Sequence, residues 1–104
     1  LTPLDPEFDF DLEFEWDSAK SVANLHKHGV DFRSARALFE DPIRYETLSL
    51  RPGIREIRRK VVGRIGEDVY AVICTNRGDA IRIISVRRAR RSERRTYRES
   101  TATS

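Results

Sequence analysis

The spacing of apolar residues changes character near Pro42, and the change divides the chain into a helical first part and a stranded second part. From Glu13 to Trp16 acids alternate with aromatics, the period-two pattern of a short strand, and Asp17 stands where a carboxylate caps a helix beginning at Ser18. Gly29 supplies the end of that helix. At 100° per residue Ala19, Val22, Ala23 and His26 gather on one side, the side expected to pack. Lys20, Asn24 and Lys27 gather on another, with His28 at its edge. A second helix is expected behind Asp31 as cap, burying Phe32, Ala35, Leu38 and Phe39 and stopping before Pro42.

Beyond Pro42 the pattern predicts strands near 43–50, 55–63, 68–76 and 80–87. Turns are expected at Arg51-Pro52-Gly53, Gly66-Glu67-Asp68 and Asn76-Arg77-Gly78-Asp79. The last of these joins the two most apolar strands, which places them at the centre of an antiparallel sheet. A basic helix over 90–99 follows. The expectation is an α+β fold, with two N-terminal helices and a C-terminal helix packed on an antiparallel sheet of four to five strands. Residues 13–104 read as a single domain. Residues 1–12, with Pro3 and Pro6, read as an extended or disordered arm in which Asp5-Pro6-Glu7-Phe8 is similar to a cloning junction.

Length and composition add two constraints. A chain of 104 residues with 38% hydrophobic content and nine aromatics is large enough for one core without covalent staples. Cys74 is the only cysteine, so no intrachain disulfide forms, and its apolar neighbours give it a packing role in a reducing compartment. No apolar run approaches the length of a membrane span.

Charge changes the picture more. The net +3 conceals an asymmetry: residues 1–17 hold seven carboxylates and no base, whereas residues 18–104 hold twenty bases against ten acids. Seven of the twelve residues from Arg87 to Arg98 are arginine. Their planar, permanently charged forks hold phosphate oxygens in pairs, so the expected partner is a polyanion such as nucleic acid.

Phe14-Glu15-Trp16-Asp17, Lys20, Asn24, Lys27-His28-Gly29-Val30, Phe32, Ala35, Phe39 and Asp41-Pro42 resemble the BrnT toxins of type II toxin-antitoxin pairs. So do Arg58 five residues before Gly63, the run Ile81-Arg82-Ile83-Ile84-Ser85, and Arg87, Ala89, Glu93 and Tyr97. The resemblance spans about Phe14 to Tyr97. It departs from the family pattern at Ile57, where relatives often carry an acid directly before the arginine that Arg58 matches, and at Ser34. It implies a RelE-like fold and a cytoplasmic ribonuclease, a hydrolase that arrests translation. It also implies a tightly bound BrnA-type antitoxin as partner, with DNA met only through that antitoxin.

Metal-free RNA cleavage needs a base for the 2′-hydroxyl proton, cations for the phosphorane and an acid for the leaving oxygen. The candidates are Lys27, His28, Arg58 and Arg82, expected to converge on one phosphodiester. Lys20, Arg87, Arg91, Arg94 and Tyr97 are candidates for gripping RNA. Scattered acids and the lack of a His-x-x-x-His spacing point to no metal and no other cofactor. Bland alternatives stand beside these roles: His28 as a helix-end cation, His26 as a packed histidine, Arg82 in a structural ion pair, Tyr97 as a helix seal and Trp16 as core. A non-catalytic nucleic-acid-binding or antitoxin-docking module is the alternative function. Pleat alternation puts Arg58 on the same side of its strand as Glu56 and Lys60, and Arg55 and Arg59 on the other. On an unbroken last strand Arg82 and Arg87 face opposite ways, so either a bulge intervenes or their roles differ.

Overall fold

A computed structural model describes residues 13–49 and 57–102. Strand β1 (Glu13–Glu15) leads into helix α1 (Ser18–His28), whose start is set by the Asp17 carboxylate accepting hydrogen bonds from the N–H groups of Ala19 (2.9 Å) and Lys20 (3.1 Å). Gly29 ends the helix at φ 77°, donating its N–H to the Leu25 carbonyl at 2.8 Å. Helix α2 (Phe32–Ala35), capped by Asp31, runs straight into a 3-10 turn (Arg36–Glu40). The chain tightens there because Asp41, ahead of Pro42, takes extended backbone and closes on Leu38 rather than continuing the α-helix. Phe32, Ala35, Leu38 and Phe39 are all buried, as their spacing predicts.

Strands β2 (Tyr45–Ser49), β3 (Arg58–Ile65), β4 (Asp68–Arg77) and β5 (Ala80–Arg88) precede the last helix, α3 (Arg91–Ala102). The sheet order is β1-β5-β4-β3-β2. β4 and β5 are interior strands, as expected. The wholly antiparallel sheet is not what forms: β2 to β5 pair antiparallel, but β1 lies parallel to β5, with Phe14 opposite Ile81. Side-chain alternation is the same in either direction, so the sequence pattern specified the faces of β1 without its orientation. The Arg51-Pro52-Gly53 turn and the arm at 1–12 lie outside the described residues.

One face of the sheet carries Val61, Val72, Cys74, Ile83 and Val86 against Val30, Phe32, Ala35 and Leu38, forming the main core. Trp16 packs at its margin. Burial raises the Cys74 thiol to about 11, consistent with a packing role. Gly63 lets β3 pass under the 3-10 turn, since a Cβ there would stand 3.1 Å from Cγ of Leu38. On the opposite face Val62 and Ala71 pack with Ala89 and with Tyr97 of α3.

Helix α1 inverts the expected packing. Ala19, Val22, Ala23 and His26 are exposed, whereas Asn24 is buried. The cause lies at the sheet edge. β1 pairs only with Ala80, Ile81 and Arg82, so farther along β5 the N–H and C=O of Val86 need another partner. The Asn24 amide supplies both, accepting from Val86 N (3.2 Å) and donating to Val86 O (2.8 Å) and Val30 O (2.9 Å). A polar side chain is therefore the anchor of α1, and hydrophobic spacing cannot report it.

Candidate nucleic-acid interface

The register between β4 and β5 decides which cations meet. Cys74 pairs with Ile83 but Ile73 pairs with Ser85, so Ile84 is an extra residue on β5, a β-bulge. Cys74 and Ile83 belong to the main core, so Thr75 and Arg82 project from the other face, where α3 sits. Past the bulge, Arg87 pairs with Ala71, which also faces α3. Arg82 and Arg87 consequently share one face, which an unbroken strand forbids. Continuing across the sheet, Arg82, Thr75 and Arg58 form one row, and Ser85, Ile73, Lys60 and Thr47 form the next. The third row, Arg87, Ala71, Val62 and Tyr45, begins the part covered by α3.

Carboxylates hold several of these cations. Arg82 donates to Glu15 at 2.9 Å. Glu93 is only 5% exposed and takes four donors: Nη1 and Nη2 of Arg87 at 2.8 and 3.0 Å, Nζ of Lys60 at 2.8 Å, and the backbone N–H of Arg90 at 2.7 Å. The Arg87 fork holds the Glu93 carboxyl well below the usual range, with Arg90 and Lys60 assisting and burial opposing. The same pairing raises Arg87 above its ordinary value. In front of this cluster lies a hollow of about 320 Å³ lined by Thr47, Leu48, Lys60, Ile73, Ser85, Arg87 and Arg90. Two hydroxyls and three cations in its lining suit a phosphodiester backbone better than a small apolar ligand.

The expected convergence of Lys27 and His28 with Arg58 and Arg82 does not occur. α1 runs beside β5 in the same direction, with Asn24 level with Val86, and Lys27 and His28 lie about one helical turn beyond. That puts them roughly 15 Å along the strands from the row of Arg82 and Arg58, which themselves stand roughly 10 Å apart across β4. Lys20 and Arg91 are exposed on their helices. Arg94 and Tyr97 line a different hollow of about 600 Å³, with Asp41, Ile43 and Arg64. There the Tyr97 hydroxyl donates to Asp41 at 2.6 Å, and burial together with this bond raises Tyr97 to about 12. Burial works against the Asp41 charge, but the Tyr97 hydroxyl and the N–H groups of Ile43 and Arg64 bring its carboxyl below the usual range. Tyr97 thus seals α3 to the loop after the 3-10 turn. Glu56 and Arg55 lie outside the described residues.

Lys60 and Glu93 are the site residues that the sequence reading did not select. A signal for Glu93 was present: it is the single acid between Arg87 and Arg98, three residues after Arg90, the spacing at which a glutamate reaches back to a helix's first N–H.

Among the described residues no three His, Cys, Asp or Glu side chains gather as metal ligands, and no helix is long and apolar enough to cross a membrane. No curated protein matches the chain. Residues 16–93, well over half of the sequence, match the family model described as ribonuclease toxin, BrnT, of type II toxin-antitoxin system. With that match and an α+β fold of helices on a mixed five-stranded sheet, the chain belongs to the BrnT family of type II toxins, a family that works against a partner antitoxin.

Proposed function

We propose that the sheet face carrying Arg58, Lys60, Arg82 and Arg87 binds and cleaves RNA without a metal ion, arresting translation in the cytoplasm. A BrnA-type antitoxin then neutralises the toxin by covering that face. The fold is read as RelE-like on this proposal. The observation that carries it is the bulge at Ile84, which turns Arg87 onto the face already bearing Arg82 and Arg58. Cations fixed there before substrate arrives stabilise a phosphorane without reorganising. Lys27 and His28, far along the strands, have no part in this chemistry. Among the residues expected to grip RNA, Arg87 is retained on this face, while Arg94 and Tyr97 belong to the separate hollow.

The test is purified protein with a defined RNA in EDTA. Cleavage with 2′,3′-cyclic phosphate ends is expected. Replacing Arg58, Lys60 and Arg82 together with alanine is expected to lower the rate at least about 100-fold. His28→Ala should leave it unchanged, and a His28→Ala variant that loses cleavage would move the chemistry to the end of α1. Co-expressed antitoxin should restore growth and copurify in fixed ratio.

One observation favours a second reading, in which the face binds RNA and does no chemistry. Glu93, the buried carboxylate among these cations, is saturated by four donors and is not available to accept a proton. RNA that stays intact while bound, with affinity falling steeply in salt, would establish that reading.

A further inference from the structure

We infer that Glu93 is a positioning residue: from behind the hollow it fixes the Arg87 guanidinium and the Lys60 ammonium in the orientation in which they meet RNA phosphates. This rests on the reading of that face as an RNA-binding surface.

Three observations support it. First, Glu93 joins three elements, because it stands in the first turn of α3, Lys60 is on β3 and Arg87 is on β5. The two cations belong to strands separated by β4, roughly 10 Å apart at the backbone, and the two ends converge only because one carboxylate takes both. Second, Glu93 does not line the hollow, whereas Lys60 and Arg87 do. Its side chain is 5% exposed against 27% for Lys60 and 22% for Arg87, so the cations face the hollow and the carboxylate lies beneath them. Third, Glu93 is itself fixed by the N–H of Arg90 at 2.7 Å, which ties its position to the start of α3.

The pairing leaves the cations able to bind. Glu93 uses one hydrogen on each Nη of Arg87 and one of the three on Lys60, and the Arg88 carbonyl takes the second hydrogen of Nη1 at 3.3 Å; the second hydrogen of Nη2 and two on Lys60 are left to reach phosphate oxygens. Unheld, a lysine on a four-carbon stem samples many rotamers, and fixing it on the ligand costs entropy at the moment of binding. Glu93 has this ordering done in the folded protein. Its depressed carboxyl titration agrees with a charge held by its partners.

The electrostatic consequence gives a test by sign. A carboxylate among cations repels phosphate, so if charge were its only influence, removing it would tighten RNA binding and steepen the salt dependence. Positioning predicts the reverse.

The experiment uses the full chain as wild type, Glu93→Gln and Glu93→Asp, with a fluorescent single-stranded RNA oligonucleotide titrated over a series of salt concentrations. Thermal unfolding checks that each variant is folded. Cleavage in EDTA is read on the same samples. Glu93→Gln is expected to weaken binding about tenfold and to flatten the salt slope by roughly one phosphate contact, although it raises the net charge. Glu93→Asp keeps the charge and withdraws the carboxylate by one methylene, so positioning predicts weaker binding here too, while a pure charge effect predicts none. If Glu93→Gln fails to fold, Glu93→Asp decides. Binding as tight as wild type or tighter in the folded variants overturns the inference and leaves the RNA-cleaving reading standing. Wild type that binds without cleaving overturns the nuclease and leaves Glu93 to be judged on affinity. Wild type with no RNA affinity overturns both.

Discussion

The two faces of the sheet share every backbone atom yet meet different surroundings. On the side of the N-terminal helices, Val61, Val72, Cys74 and Val86 are fully buried beneath Phe32, Ala35 and Leu38. On the other side the part under α3 is sealed by Val62, Ala71, Ala89 and Tyr97, and beyond it lie Arg58, Lys60, Arg82 and Arg87, with Thr75 buried between Arg58 and Arg82 and donating to the Ile57 carbonyl. β3 shows how one strand serves both: alternation places Val61 in the main core and Lys60 beside the open hollow. β5 cannot do this with a regular register, and a single bulged residue is what adds Arg87 to the open face. The dry face stabilises the fold, which allows the other to concentrate like charge that would otherwise oppose folding.

The largest expected effect is on the dry face. Leu38→Ala should cost about 3 kcal/mol in urea unfolding, because Leu38 is fully buried and its removal leaves a cavity under the 3-10 turn. RNA affinity per folded molecule should not change. A loss below about 1 kcal/mol would mean that this face is not the main source of stability. Asn24→Leu comes next, at about 2 kcal/mol, since it leaves polar backbone groups of Val86 and Val30 without partners. If leucine there proves harmless, α1 is not anchored through its amide.

Acid should separate the faces as well. The Glu93 carboxyl titrates lower in the folded protein than its ordinary 4.5, so its contribution to stability is complete above that value and disappears as pH falls toward the folded one. Asp41, lowered from 3.8, behaves the same way. Stability is expected to fall below about pH 5, and the fall should be shallower in Glu93→Gln by more than about 1 kcal/mol. Identical pH profiles for the two proteins would show that Arg87 and Lys60 do not hold this carboxylate.

Elements were legible in the sequence wherever a local signal was sufficient. Asp17 and Gly29 bound α1 where their types predict, and Phe32, Ala35, Leu38 and Phe39 are buried as spaced. Arg58 and Lys60 share a face, opposite Arg59, for the same local reason. What failed depends on partners distant in sequence. Asn24 reads as part of a solvent stripe until Val86, sixty-two residues later, needs an amide. Lys27 and His28 looked close to Arg58 and Arg82 only because residue type suggested a shared task. The bulge was foreseen as one of two possibilities, but pleat alternation alone cannot choose between them. Glu93, a carboxylate in an arginine run, has the reading of a local ion-pair partner until β3 brings Lys60 to it.

The smallest expected effects come from two neighbouring arginines and test the comparison most finely. Arg87 faces the open hollow, whereas Arg88 pairs across the sheet with Tyr70 on the dry face's margin, stands over its ring at 5.7 Å and reaches Asp68 at 3.3 Å. Both members of the Arg88 pair are more than half exposed, so water and salt screen them, and Asp68→Asn should change stability by no more than about 0.5 kcal/mol. The functional contrast is in the salt dependence of RNA affinity. Arg87→Ala should lower the slope by about one phosphate contact, and Arg88→Ala should leave it unchanged, although both remove one positive charge from adjacent positions. Equal changes would mean that RNA feels only the summed charge at the end of β5, or wraps around its edge, and the distinction between the two faces as binding surfaces would fail.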